Sequence, residues 1–357
     1  MNTGQPHCED AIHGSPIIAL TDPVARLLDE YGFLSAVTKV LILPNHSTGR
    51  SHGFLSFVKR MVRTNQQPMS MSWSSKCALA YSFSQAKGLL IDWSVGPQLL
   101  GLIDKMPVLS WVHVIKTGVD HLPISALKCR GIMLTCVKGV YSRAVAEFVM
   151  GLVYCWAKRL LDHQGLRKKM DWQTIWSKEL LGKKMLVLGT GEVGCAVAHL
   201  AVANGIQTFG VNKSGLHVCG FSQVVDVCKL MDVVQSADIV VNCLPLTSET
   251  KSLLGREFFK CMRKGSALIN VGRDATIDHK ALLEGLQQGQ PVWAALDIDP
   301  PPKGHPYWRH PAIFLTQHCA YTSESARLAL AHATMNNINL FLTGGELIGT
   351  VNLDKGY

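Results

Sequence analysis

Lys183-Lys184-Met185-Leu186-Val187-Leu188-Gly189-Thr190-Gly191-Glu192-Val193-Gly194 carries a short apolar run straight into Gly-x-Gly-x-x-Gly, and the helical pattern Cys195-Ala196-Val197-Ala198-His199-Leu200-Ala201 follows at once. Isolated glycine matches of this kind are common and often bind nothing. A strand before the turn and a helix after it are what make the match a dinucleotide site. Gly189 permits the tight turn, Gly191 lets backbone approach a pyrophosphate, and Gly194 lets the helix lie close on the sheet. The helix's free N–H groups and positive dipole end then face the phosphates. The expected cofactor contacts here are Gly189, Thr190, Gly191, Glu192 and Val193.

At 357 residues the chain exceeds what one core comfortably fills, so two domains are expected, and 47% hydrophobic with 17% charged residues leaves ample core material. Its eleven cysteines include no Cys-x-x-Cys pair and no regular spacing. They read as reduced thiols, with neither a zinc site nor a disulfide framework. No apolar run approaches the roughly 20 residues of a membrane helix. The first sixteen residues contain Glu9 and Asp10 and no arginine, which argues against a signal or transit peptide and for a cytoplasmic protein. The net charge of +9 comes from scattered residues without a nucleic-acid motif. It reads as a solvated surface whose field also attracts small anions.

Outside the glycine motif, residues 1–35 read as an N-terminal extension with a short helix around Val24–Glu30. A strand is expected at 38–44, then a helix over 53–63 whose Lys59, Arg60 and Arg63 form a solvated face. Strands at 88–93, 108–114 and 132–136 flank a helix at 97–103, and Lys116–Leu122 is a glycine-containing loop at a strand's carboxyl end, where open α/β sheets place ligands. A long helix is expected over 142–161 with Ser142 as its cap. Beyond it, strands at 184–188, 208–211, 239–244, 267–271 and 293–298 alternate with helices that include 192–204 and 279–288. Strands separated by helices make a doubly wound parallel α/β protein.

Seven segments then align in order: Gly118-Val119-Asp120, Ala146-Glu147-Phe148, the glycine motif, Leu244-Pro245-Leu246-Thr247, Asn270-Val271-Gly272-Arg273, Leu296-Asp297-Ile298 and Thr316-Gln317-His318-Cys319-Ala320. Together they resemble the D-isomer-specific 2-hydroxyacid dehydrogenases, and within them the branch that acts on glyoxylate and hydroxypyruvate with NADP. The resemblance implies a Rossmann coenzyme domain (141–319) inserted into a flavodoxin-like substrate domain (36–140 and 320–357), with the active cleft at their junction. It implies a homodimer, a small anionic 2-keto or 2-hydroxy acid as substrate, and no nucleic acid, membrane or metal.

Arg273 and His318 each follow an apolar strand, and the resemblance makes them the catalytic pair. A guanidinium can hold a carboxylate bidentately while polarising the neighbouring carbonyl. Histidine titrates near neutrality and is the natural proton donor. Backbone at Thr117, Gly118 and Val119 would receive the substrate carboxylate. Three departures from the family pattern stand out: Asp274 where glycine is usual, beside Arg273 and able to pair with it; Gln317 for proline; and Pro302 where a glutamate normally supports the histidine. Without a carboxylate partner the imidazolium would lose stabilisation and titrate lower. Asp297 or Asp299 is the candidate substitute. Cofactor choice is read from Asn212-Lys213-Ser214 at the end of the second coenzyme-domain strand. An NAD site carries an acid there for the ribose 2′-hydroxyl. None stands nearby in sequence, and this trio suits a 2′-phosphate, so NADP(H) is expected over NAD(H). Leu244, Pro245, Val271 and Asp297 complete the expected cofactor surface. The leading expectation is a 2-keto acid reductase. Its competitor is a dinucleotide-binding sensor or scaffold of the same fold with weakened or lost catalysis.

Overall fold

The computed structural model describes residues 17–33, 40–43 and 84–356, and the helix expected over 53–63, with Lys59, Arg60 and Arg63, lies outside them. The described residues up to Val137, with those from Leu328 onward, form one compact unit, and Lys138–Arg327 form a second.

In the first unit, short β-branched and leucine-rich runs pair as a parallel sheet: β1 (Ile17–Thr21), β2 (Val40–Leu43), β3 (Ala86–Ile91), β4 (Trp111–Val114) and β5 (Met133–Cys136), in spatial order β2-β1-β3-β4-β5. This is the flavodoxin-like strand order. It corrects the reading of residues 1–35 as an extension. β1 lies between β2 and β3, with Ile18 opposite Val40 and Leu20 opposite Leu90, and Ile18, Ala19 and Leu20 are fully buried. Four apolar residues between a polar stretch and Thr21-Asp22-Pro23 are too few for periodicity to announce a strand. The helix expected after it is present as α1 (Asp22–Glu30), burying Val24, Leu27 and Leu28. α2 (Leu99–Ile103) lies between β3 and β4, and α3 (Ile124–Cys129) between β4 and β5. Gly88 makes room for the core tryptophan. A Cβ there would stand 3.0 Å from the Trp111 ring, which packs on Phe341 at 4.6 Å between centroids. The C-terminal segment fastens to β5, where Cys136 N donates to Gly349 O and Val351 N to Leu134 O.

The second unit is a seven-stranded parallel sheet: β6 (Lys184–Leu188), β7 (Gln207–Asn212), β8 (Gln223–Asp226), β9 (Ile239–Asn242), β10 (Ala267–Asn270), β11 (Trp293–Asp297) and β12 (Ile313–Thr316), ordered β12-β11-β10-β9-β6-β7-β8. Its helices are α4 (Ser142–Ala157), α5 (Leu160–Lys168), α6 (Glu192–Ala203), α7 (Leu230–Val234), α8 (Arg256–Cys261), α9 (His279–Gln288) and α10 (Glu324–Thr343), the last running on past Arg327 into the first unit. One sheet face buries Leu186, Leu188, Val240, Leu268 and Leu296 against Val234 of α7, Phe258 of α8 and Leu282 of α9. The alternate phase, Met185, Val187, Val241 and Ile269, is buried too, and α6 packs there on β6 and against α4. Burial on both faces explains why the strands read as continuous apolar runs. The strand order reverses beside β6, which has β9 on one side and β7 on the other, and such a switch point opens a crevice at the strands' carboxyl ends.

Two local expectations change. The single helix over 142–161 is two helices, because Arg159 takes the left-handed conformation (φ 54°) between α4 and α5. Ser142 is the first helical residue and not the cap. Tyr141 occupies that position with no side-chain bond capping the helix, and Ser142 N donates to Gly139 O.

Candidate active site

β6 is followed at once by Gly189, whose φ of +93° is a conformation that only glycine adopts without strain. Gly191 caps α6, and the first N–H groups of that helix have no intrahelical acceptor. A Cβ on Gly194 would collide with the Gly189 carbonyl oxygen and press on Val187, so the close helix-to-strand packing requires glycine there. Nothing lies within 4 Å of a Cβ built on Gly191, which leaves the turn open on that side. Unused donors, a positive helix end and an open backbone cradle together fit a dinucleotide pyrophosphate.

At the end of β7 the trio Asn212-Lys213-Ser214 is engaged differently from expectation. The Asn212 side chain donates to Thr190 Oγ1 (2.9 Å) and Leu216 O (3.1 Å) and accepts from Ser214 N (3.1 Å) and Gly215 N (2.7 Å). It ties its own turn to the glycine turn, and that corrects its reading as a direct phosphate ligand. Lys213 Nζ lies 2.7 Å from Glu249 Oε1. The absence of an acid holds only along the chain, since the loop after β9 brings one in.

Arg273 stands on a buried polar scaffold. Asn242, at the end of β9, donates to Asn270 Oδ1 and to Thr276 Oγ1, each at 2.8 Å, and Thr276 Oγ1 donates to the Arg273 carbonyl at 2.6 Å. Asn242, Asn270 and Thr276 are fully buried. Gly272 permits the neighbouring backbone to close up, because a Cβ there would stand 2.8 Å from Leu244 O. Leu244 N is held by Asn242 Oδ1 (3.2 Å) and Val271 N by Asn242 O (3.1 Å), so one asparagine orders Leu244, Val271 and the Arg273 turn. Pro245 O accepts from Thr250 Oγ1 at 2.7 Å. Asp274 is committed to a histidine, with its Oδ1 3.0 Å from His279 Nε2.

His318 adopts φ 49°, held there by Asp297. The Asp297 carboxylate is 3% exposed and accepts from Thr316 Oγ1 (2.6 Å), Cys319 N (2.8 Å) and Ala320 N (2.9 Å), clasping the loop on both sides of the histidine. Asp297 is therefore the loop's anchor, and Asp299 is the carboxylate that meets the imidazole, His318 Nδ1 to Asp299 Oδ1 at 3.0 Å. Nδ1 is occupied, which leaves Nε2 as the nitrogen for a transferable proton. Pro302 is exposed, and Trp308 Nε1 donates to its carbonyl at 3.2 Å, bracing the proline-rich loop. Tyr321 stands edge-on to the His318 ring at 6.0 Å and to Tyr141 at 5.4 Å.

In the first unit, the bend after β4 carries Thr117, Gly118 and Val119. Among the described residues, their N–H groups donate to no backbone carbonyl. Val119 is buried and Thr117 exposed. Among the described residues no cluster of ligands could hold a metal ion, and no helix is long and apolar enough to cross a membrane.

Sequence reasoning missed Glu249, Thr276 and Tyr321. Thr276 follows Arg273 by three residues in a turn, and a hydroxyl at that spacing is the one signal that could have marked it.

A family model described as "D-isomer specific 2-hydroxyacid dehydrogenase, NAD binding domain" matches residues 150–320. Glyoxylate/hydroxypyruvate reductase B of Enterobacter sp. (strain 638) is 30% identical over 288 residues, 76% of this chain and 86% of that protein. The chain belongs to the D-isomer-specific 2-hydroxyacid dehydrogenase family. Among solved structures, a D-isomer-specific 2-hydroxyacid dehydrogenase family protein from Aeromonas salmonicida superposes with TM-score 0.74 at 25% identity, covering 96% of this chain and 100% of the other. An NADPH-dependent glyoxylate/hydroxypyruvate reductase from Sinorhizobium meliloti, solved with NADP and sulfate, shares the fold at TM-score 0.73 and 21% identity, covering 96% and 100%. The D-2-hydroxyacid dehydrogenase chain is thus an oxidoreductase with an NAD-binding domain, and its two parallel sheets are those of its family.

Proposed function

We propose that the protein reduces a small 2-keto acid of the glyoxylate or hydroxypyruvate kind to the D-2-hydroxy acid, with NADPH preferred over NADH. The observation that carries this reading is the His318 Nδ1–Asp299 Oδ1 contact of 3.0 Å, which supplies the carboxylate partner that Pro302 cannot. Arg273, held by the Asn242–Thr276 scaffold, binds the substrate carboxylate and polarises the carbonyl. Within the first unit, the backbone N–H groups at Thr117–Val119 are the candidate anion donors. A bound nicotinamide supplies the hydride, His318 Nε2 protonates the carbonyl oxygen, and Asp299 holds the ring and stabilises its charge.

Preference for the 2′-phosphorylated cofactor rests on Lys213 and Ser214 and on the lack of an acid at the end of β7. Glu249 tempers it by competing for Lys213. A cytosolic homodimer is part of the reading. Met170, Trp172, Trp176 and Leu181 cluster in sequence after α5 and are almost wholly exposed, more apolar surface than a lone subunit usually leaves in water.

The test is NADPH and NADH oxidation with glyoxylate, hydroxypyruvate and longer 2-keto acids, alongside fluorescence titration of each cofactor. Turnover favouring NADPH is expected. The exposure of Asp299, at 86%, favours a second reading, a dinucleotide-binding sensor whose proton donor is loosely held. Tight NADPH binding with no turnover at any pH would select it.

A further inference from the structure

A dinucleotide site for NAD(H) sets a carboxylate against the ribose 2′-hydroxyl at the end of its second strand, and one for NADP(H) sets a cation there. Along the chain, the end of β7 supplies Lys213 and no acid. In space the neighbourhood differs. Lys213 Nζ lies 2.7 and 2.9 Å from the two oxygens of Glu249, so the loop after β9 brings a carboxylate into contact with the cation beside the ribose position.

That carboxylate stands on a braced turn. Thr247 and Thr250, on either side of Glu249, cap each other: Thr247 N donates to Thr250 Oγ1 (2.8 Å) and Thr250 N to Thr247 Oγ1 (3.2 Å). Thr250 Oγ1 donates onward to Pro245 O (2.7 Å), and Lys251 N to Thr247 O (3.0 Å). Ser252 N donates to Ala275 O at 2.9 Å and fastens the far end of the turn to the segment beyond β10. On the other side, Asn212 ties the turn that carries Lys213 to Thr190 of the glycine turn. Asp226, an acid that faces Asn212 across the sheet, is occupied by Cys228 N at 2.8 Å, which leaves the 2′ position to Glu249.

Lys213 and Glu249 are both largely exposed, at 70% and 64%, and a pair so exposed adds little to folding. What it sets is local charge. A cation by itself favours a 2′-phosphate strongly, whereas this pair presents a donor and an acceptor side by side with no net charge.

We propose that Glu249 is the specificity-determining residue of the cofactor site, an acid that acts on the ribose 2′ position and keeps the preference for NADPH over NADH small. Its carboxylate accepts from a 2′-hydroxyl and repels a 2′-phosphate, and Lys213 has the opposite bias. One site therefore serves both dinucleotides. This rests on the reading above only in that a nicotinamide dinucleotide occupies the glycine turn.

The experiment is fluorescence titration of the cofactor-free protein with NADPH and with NADH, in the wild type, Glu249→Gln, Lys213→Met and the double variant. Glu249→Gln should tighten NADPH roughly threefold to tenfold and weaken NADH about twofold, the weight of one screened charge. Lys213→Met should weaken NADPH about tenfold with NADH little changed. The double variant should still bind NADPH more tightly than Lys213→Met, because Glu249 acts on the phosphate directly. General damage to the fold would weaken both dinucleotides alike and leave the ratio of their dissociation constants where it was. An unchanged ratio in Glu249→Gln overturns the proposal, and so does a double variant that binds NADPH no better than Lys213→Met. If the wild type binds NADH more tightly, the NADPH preference proposed above fails by itself, and the ratio in Glu249→Gln still decides the role of Glu249. Binding of neither dinucleotide refutes both.

Discussion

His318 and the two aspartates of its loop divide their work in a way that single substitutions can separate. On the proposed function, replacing His318 by Gln removes the proton donor and should lower kcat by roughly 10²–10⁴-fold, with NADPH affinity retained. Asp299→Asn keeps the shape and removes the charge that orients Nδ1, and a loss of about 10- to 100-fold in kcat with little change in melting temperature is expected. Asp297→Asn does the reverse. It weakens charge-assisted hydrogen bonds at a buried site and should cost about 2–3 kcal/mol in denaturant unfolding, carrying activity down with it. The placement of Arg273 and His318 just beyond strand ends was legible in sequence because each follows a short apolar run. The choice between Asp297 and Asp299 was not. Asp297 ends β11 and Asp299 stands two residues beyond it, and only the fold shows that one is spent on backbone N–H groups 22 and 23 positions away. Lys213–Glu249, 36 positions apart, is of the same kind: no local pattern marks a pair that two loops bring together.

The strand-turn-helix β6–Gly–α6 offers a cleaner separation, because its glycines serve different ends. Gly191→Ala adds a methyl where nothing lies within 4 Å, so melting should move little while NADPH affinity falls at least tenfold through loss of backbone approach. Gly194→Ala drives a methyl into the Gly189 carbonyl. It should destabilise by about 1–3 kcal/mol and lose cofactor binding as well, read by thermal melts with and without NADPH. Elements with a strong apolar pattern were the readable ones: β6, buried along its length, and α9, apolar on one side, fall at the expected residues. β1 and β8 were missed for a common reason. Ile17–Thr21 and Gln223–Asp226 are short and flanked by polar residues, and their membership of a sheet comes from pairing with distant strands. The break at Arg159 left no trace either, since a single left-handed residue interrupts α4 and α5 without a glycine or proline.

For the protein as a whole, acid is the informative stress. His113, fully buried in β4, hydrogen-bonds Thr135 Oγ1 at 2.8 Å through Nδ1, and burial pushes its imidazole down to about 3. An unfolded histidine titrates near 6.5, so between roughly pH 6.5 and 3 the unfolded chain takes up a proton that the folded chain refuses. Stability is therefore lost as pH falls through that window, at about 1.4 kcal/mol per unit from this group. His113→Gln should flatten that part of the urea-midpoint profile between pH 7 and 4.5 while lowering its plateau. His279 has the opposite sign. Its folded value is raised, so what it contributes is present below 6.5 and fades as pH rises, and partial exposure keeps it smaller than the His113 effect.

The closure of β5 by residues 349–351 has a consequence for how the chain is made. Synthesis runs from the amino end, and domains generally fold as units while it proceeds. Every strand of the second unit is translated before the segment that fastens β5 of the first unit. Although the first unit holds the earliest residues, it is completed last. A chain ending at residue 327 and released from the ribosome should therefore resist protease across Lys138–Arg327 and retain a nicotinamide dinucleotide, while the flavodoxin-like sheet is still cleaved.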